Sequence, residues 1–330
     1  MNSQHSPFLV DVESLRRKAA ARDLDLPVII WDDVCSSTND ELASLVRGQS
    51  TLADDPTDRT RRIAVSNATD FAEVPAQFCV YGTDHQNAGH GRLGRTWTVP
   101  ARRSLTFSIV LEPGAVFDSW GWIPLIAGEA VRAAIAEAGV SAVLKWPNDV
   151  LTADGKKLCG ILARVEPLPT GPRIVLGMGI NTRLQPDDLP RESASSIAIE
   201  TDTDGSEVAH EDLLISILST LIPAYRELVE YDDDDFSRST VGNEVRANMV
   251  TLGTQVRVER PDGSNLYGRA TGLDAGGDLI IDNDISVSAG DVHHLRPAAD
   301  GTATGTAAGT ATGTATDAAT GTARGLGGRR

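Results

Sequence analysis

Lysine is nearly missing from this chain: Lys18, Lys145, Lys156 and Lys157 are the only four in 330 residues, against 26 arginines. Acidic residues outnumber basic ones 46 to 30, a formal net charge of −16. That balance argues against general DNA binding, which needs a basic surface to neutralise phosphates. An acidic, lysine-poor surface suits a protein kept soluble at high salt. Cysteine is scarce too. Cys35, Cys79 and Cys159 are odd in number, far apart and without a CxxC pair, so neither a disulfide framework nor a zinc site is indicated. Three buried thiols are expected instead. No apolar run approaches the roughly 20 residues that span a bilayer. The N-terminal MNSQHSPFLVDVES has no basic region followed by an apolar one. A soluble, cytoplasmic protein with no membrane partner is expected. Also absent are GxxxxGK[ST], G-x-S-x-G and H-E-x-x-H, and His85, His90, His210, His293 and His294 are scattered, so the metal ligands are unassigned.

What is present falls into four segments. Residues 1–26 have room for one short helix, DVESLRRKAAAR. Residues 27–248 mix strands and helices without regular alternation, which favours an α+β fold with a mixed or largely antiparallel sheet and packed helices. PVIIWDD, QFCVYGT, SLTFSIVL, AVLKW, KKLCGILARVE and RIVLGMGI read as strands. Thr38 to Glu41 reads as a capping box before ELASLVRG, with Gly48 at the C-terminal cap. Residues 120–139 and 210–231 read as long helices, the second with a kink expected at Pro223. Asp232 to Asp235 reads as a solvated acidic loop. Residues 249–297 alternate in short strands, TQVRVER, LYGRATGL, DLIID and SVSAGDVHHL, with turns at PDGSN and DAGGD, which predicts a small β-barrel. Residues 298–330 are Gly, Ala and Thr with hardly a large apolar side chain and are expected to be disordered.

Chemistry gathers in four stretches. QNAGHGRLGRTW, Gln86 to Trp97, contains a literal G-x-G-x-x-G at Gly89, Gly91 and Gly94. A dinucleotide motif needs a helix to begin inside it, and RTWTVPARRSL is not one. The stretch is either an exposed turn or a mobile clamp between two strands, with Arg92 and Arg95 to engage phosphate or carboxylate oxygens and Trp97 to cover a planar group. In KWPNDVLTADGKKLCGI, three of the four lysines fall within 13 residues. An ammonium there can balance charge developing in phosphoryl or nucleotidyl transfer. Asn148 and Asp149 either cap the turn or position a magnesium ion or nucleotide. SSTND, Ser36 to Asp40, offers a helix cap or hydroxyls for a polar ligand. GMGIN, Gly177 to Asn181, ends a strand in small residues.

In this order and spacing the four stretches closely resemble the biotin protein ligases, from about Pro27 to Pro297. The resemblance implies a catalytic domain like that of class II aminoacyl-tRNA synthetases, then an SH3-like barrel. It implies that the carboxylate of biotin attacks the α-phosphate of Mg·ATP to give biotinyl-5′-AMP and pyrophosphate. A lysine of a biotin carboxyl carrier protein then displaces AMP. It implies that Ser37, Thr38, Asn39 and Gln86 contact biotin, that His90, Gly91 and Arg92 fold over the adenylate, and that Lys157 touches the biotin carboxylate and α-phosphate. It implies that Arg92 and Lys157 are the catalytic pair and that Gly89, Gly94, Arg95, Trp97, Asn148, Asp149 and Asn181 lie on the nucleotide side. The pair should then share one cavity. A homodimer stays open, and no general base is assigned.

His90 departs from the pattern, standing where GRGRxGR has its first arginine. The loop thereby loses one permanent charge. The 26 residues before the first strand are too few for the DNA-binding domain that some members carry, so a ligase that is not a repressor is expected. The alternatives are a lipoate or octanoate ligase of the same superfamily, a non-catalytic biotin sensor, and a nucleic-acid module using Arg92, Arg95, Arg102 and Arg103.

Overall fold

The computed structural model describes residues 9–49, 61–65, 77–113, 119–189, 193–231 and 235–295. Met1–Leu295 is one compact unit. The tail expected to be disordered and Asp232 to Asp234 of the acidic run lie outside the described residues.

An eight-stranded mixed sheet forms the centre. Its strands are β1 (Val28–Asp32), β2 (Arg61–Val65), β3 (Val80–Thr83), β6 (Ser104–Leu111), β7 (Ala142–Lys145), β8 (Asp149–Thr152), β9 (Lys157–Glu166) and β10 (Arg173–Asn181), in the order β2-β1-β3-β6-β10-β9-β8-β7. Only β1 and β3 pair in parallel. The helices are α1 (Val12–Ala20), α2 (Thr38–Val46), α3 (Trp122–Glu137), α4 (Ile197–Glu200), α5 (His210–Glu230) and α6 (Thr240–Ala247). Helix α5 runs unbroken through Pro223. No helix among the described residues is long and apolar enough to cross a membrane.

Both faces of the sheet are covered, which is why PVIIW and QFCVY read as continuous apolar runs rather than alternating ones. Alternation shows in where each residue packs. Ile29, Trp31, Val80, Ile109 and Leu111 join the large core with α1, α3 and α5. Val28, Ile30, Cys79, Tyr81, Val110 and Val175 join a second, smaller core under α2. All three cysteines are buried free thiols, as expected.

A second sheet follows: β11 (Gln255–Glu259), β12 (Asn265–Leu273), β13 (Leu279–Ile281), β14 (Ile285–Val287) and β15 (Asp291–His294), ordered β14-β13-β12-β11-β15 and antiparallel throughout. SVSAGDVHHL is therefore two strands, divided at Gly290, whose φ is +155°. This sheet is fastened to the first part of the chain by two indoles. Trp122 Nε1 donates to Ala275 O at 2.9 Å and Trp146 Nε1 to Gly277 O at 3.1 Å. Trp146 N donates to Thr251 Oγ1 at 3.0 Å. A Cβ on Gly121 would sit 2.3 Å from Gly276 O, so the backbones meet there only because side chains are absent.

Candidate active site

The α2 face of the sheet is apolar at one end and polar at the other. Along β6, the pattern S-L-T-F-S-I-V-L puts Thr106 and Ser108 on the same side as Val110. Across the ladder lie Gly177, Gly179 and Asn181 of β10, and then Gly160 and Leu162 of β9. Thr106, Gly160, Leu162, Gly177, Gly179 and Asn181 floor a cavity of about 650 Å³, inside the usual size range of ligand clefts, about 300–1,000 Å³.

One wall is the start of α2. The cap is Ser37, one residue earlier than the sequence suggested: its Oγ accepts from Asp40 N at 3.4 Å. Thr38 is displaced from the cap role because its own groups are taken. Its N–H donates to Gln86 Oε1 at 2.9 Å, and its hydroxyl lies 2.7 Å from Ser108 Oγ. Asn39 Nδ2 donates to Leu162 O at 3.1 Å, and its Oδ1 accepts from Ser108 at 2.7 Å. Any Cβ at Gly177 would strike that amide at 2.3 Å. Ser108, which the sequence reading passed over, thus fixes both Thr38 and Asn39. The signal was available: polar residues at every second position of an apolar strand.

The opposite wall carries Lys157. Between Lys157 and Gly160 lie two residues, so a regular strand would put their side chains on opposite faces. The β8–β9 ladder shifts register at Val150/Leu151. Leu158 and Cys159 both enter the large core, and Lys157 turns to the cavity beside Gly160. Its Nζ lies 2.5 Å from Asp149 Oδ1 and 5.6 Å from the centre of the Trp97 ring. Trp97 lies over Gly160 and Gly179, with its Nε1 buried and unpartnered. Asn181 Nδ2 donates to Ser195 O at 2.9 Å, leaving Oδ1 buried and unpartnered. Two orphaned polar atoms on one cavity are what a polar ligand would satisfy.

The glycine stretch forms the roof. It is a strand–loop–strand clamp between β3 and β6, with a small ladder of β4 (Gly89–His90) and β5 (Thr96–Trp97), a single 3-10 turn at Arg92–Gly94 between them and no α-helix. Arg92 Nη1 donates to Asn148 Oδ1 at 3.3 Å. Burial holds the Arg92 guanidinium below its ordinary pKa, with Asp149 opposing that shift. His90 Nε2 lies 2.9 Å from Asp40 Oδ2, and Arg164 binds the other oxygen of Asp40 at 2.7 Å. Of the residues that the resemblance assigns to biotin or the nucleotide, Gly89 alone does not line the cavity. It lies behind the wall, where a Cβ would meet Gln86 Nε2 at 2.2 Å. Lys145 of the lysine cluster also lines the cavity, and Asp291 and His293 line it unforeseen. Burial, then the charges of Arg257, Lys145 and Arg95, push the His293 imidazole down, against the pull of Glu259.

Residues 57–181 match the biotin/lipoate A/B protein ligase family. The biotin–[acetyl-CoA-carboxylase] ligase of Mycobacterium tuberculosis is 35% identical over 222 residues, covering 64% of this chain and 77% of that protein. The chain belongs to the biotin protein ligases. The bifunctional ligase/repressor BirA of Bacillus subtilis is 29% identical over 247 residues, 73% of this chain and 72% of that protein. In fold, the chain is similar to the biotin protein ligase from Aquifex aeolicus solved in complex with biotin and ATP: the TM-score is 0.58 at 22% identity, covering 82% of this chain and 99% of that one.

Proposed function

We propose that this chain activates biotin with ATP to biotinyl-5′-AMP and passes the biotinyl group to one lysine of a biotin carboxyl carrier domain. The observation that carries this reading is that Arg92 and Lys157 face one cavity. Trp97 and Asn181, each with a buried unpartnered polar atom, line the same space. In the first step, a biotin carboxylate oxygen attacks the α-phosphorus and the bond to pyrophosphate breaks. In the second, the carrier amine attacks the acyl carbon, AMP leaves, and the amine loses a proton. Thr38, Asn39 and Gln86 orient biotin from the α2 side. Arg92 and Lys157 hold charge at the α-phosphate, where fixed donors act most strongly with water excluded.

Magnesium bound with the nucleotide would offset the charge of the phosphates. Asp149 and Asn148 are the side-chain oxygens on that side. Among the described residues no group of three or more His, Cys, Asp or Glu could hold a metal ion. Residues 249–297 are read as the SH3-like domain, supported by the all-antiparallel order of the second sheet. The rival nucleic-acid reading loses support from pairing: Arg102 faces Asp84 at 3.8 Å and Arg103 faces Asp188 at 3.6 Å.

The test is incubation with biotin, Mg·ATP and a carrier domain. One carrier lysine should gain the mass of biotin less water. ATP–pyrophosphate exchange that ran with lipoate or octanoate and not with biotin would overturn the assignment.

Two variants probe the roof. Gly179→Ala places a methyl 2.7 Å from Trp97 Cε2, so the indole must leave its place. Calorimetric titration should show biotin and nucleotide binding at least roughly tenfold weaker, about 1.4 kcal/mol, with the circular dichroism unchanged. Unaltered affinity would refute the role given to Trp97. His90→Arg restores a permanent charge beside Asp40, already shared with Arg164. Release of biotinyl-5′-AMP should slow by about two- to fivefold, the scale of an exposed ion pair. An unchanged release rate counts against it.

A further inference from the structure

Both arginines of the glycine loop reach past the cavity to the same point of the second sheet. Arg95 forms an ion pair with Asp291, the first residue of β15, and Arg92 Nη1 donates to Gly290 O at 3.4 Å. Within the loop, Gly91 N donates to Arg95 O at 2.7 Å, so what holds Arg95 also holds the turn carrying Arg92. The anchor is firm. Asp291 is paired in register with Glu259 of β11, its side chain is 13% exposed, and its sheet is fixed by the Trp122 and Trp146 indoles. A Cβ at Gly290 would meet Val258 Cγ1 at 2.7 Å, so the Gly290 carbonyl is set close against β11. A loop with left-handed residues at its tip, Leu93 (φ +55°) and Gly94 (φ +71°), gets little order from its own ladder of two residue pairs.

We infer that Asp291 is a positioning residue: through Arg95 it tethers the glycine loop over the cavity, so that the second sheet sets how long the activated intermediate stays enclosed. This rests on the ligase reading for its consequence, but the tether itself does not. Asp291 touches no reacting atom in this scheme; it acts through Arg95.

The test separates the two. Amide hydrogen exchange across residues 89–97, without ligands, should be about two- to fivefold faster in Asp291→Asn than in the wild type, as expected for losing a partly exposed ion pair. Asp291→Glu should restore protection, and Asp262→Asn, at an exposed turn of the same sheet, should leave it unchanged. Arg95→Gln removes the tether from its other end and must speed exchange similarly, which keeps the test decisive if Asp291→Asn fails to fold. With biotin and Mg·ATP but no carrier, Asp291→Asn should release biotinyl-5′-AMP faster by the same factor, with an unchanged KM for the carrier. Equal exchange in wild type, Asp291→Asn and Arg95→Gln overturns the tether. So does a lower KM for ATP in Asp291→Asn without faster release, which would make Asp291 a competitor of phosphate. A wild type that forms no adenylate ends the ligase reading and leaves the exchange result standing.

Discussion

Lys157→Ala is expected to lower carrier biotinylation by about 10²- to 10³-fold, the range seen when one preorganised donor to a developing negative charge is removed. Both half-reactions should suffer. On the proposed reading, the ammonium would stand where negative charge gathers, first as pyrophosphate departs and then as AMP departs. The variant also leaves Asp149 facing the cavity without its partner at 2.5 Å, which adds repulsion toward phosphate. Biotin binding alone should fall far less, so kcat drops more than KM rises. Lys157→Arg should not rescue. The ammonium occupies a narrow slot between Asp149, Gly160 and Trp97, and a planar guanidinium is wider and cannot serve as a point charge there. ATP–pyrophosphate exchange and the mass of the carrier check both steps. Retention of more than about a tenth of the wild-type rate would remove Lys157 from the chemistry.

Acid should destabilise the fold through one histidine. His210 opens α5 and is 1% exposed. Its Nε2 lies 2.7 Å from Thr182 Oγ1, and that hydroxyl donates to Arg103 O at 3.2 Å, so Nε2–H is the donor to Thr182. Nδ1 is then unprotonated, buried and unpartnered. Burial, with Arg183 and Arg102 nearby, pushes the imidazole down to about 3, and a helix N-terminus also disfavours a cation. The folded value lies below the unfolded one, about 6.5. Stability is therefore full above pH 6.5 and falls toward pH 3, where only the unfolded chain takes the proton, by up to about 1.4 kcal/mol per unit. Unfolding free energies from urea titrations at pH 7.5 and pH 5 should differ by about 2 kcal/mol more in the wild type than in His210→Gln. Identical pH slopes would contradict this. Thr182 adjoins Asn181 at the end of β10, so protonation should also loosen the cavity floor.

The sequence carried the motifs and the long helices because each is local. Helix α3 follows from apolar spacing, and the four stretches sit in cavity walls because strand ends deliver them there. What stayed hidden depends on pairing. No spacing rule exposes the register shift that turns Lys157 to the cavity, since it is a property of β8 and β9 together. The choice of Ser37 over Thr38 as cap was settled by Gln86 and Ser108, distant in sequence. Asp291 looked like an ordinary strand residue because its partner lies 196 positions away. Ser108 is different: its polar alternation in β6 was legible and went unread.

The two indoles that grip the 274–278 turn have a practical corollary for anyone trimming or recombining this enzyme. Deleting residues 249–295 would strip the acceptors from Trp122 Nε1 and Trp146 Nε1 and bare the part of the large core that Val256, Val258 and Leu279 now complete. A shortened version should behave as an unfinished fold rather than a minimal catalyst. A chimera that borrows this segment from a relative will need Gly121, Trp122 and Trp146 to travel with it.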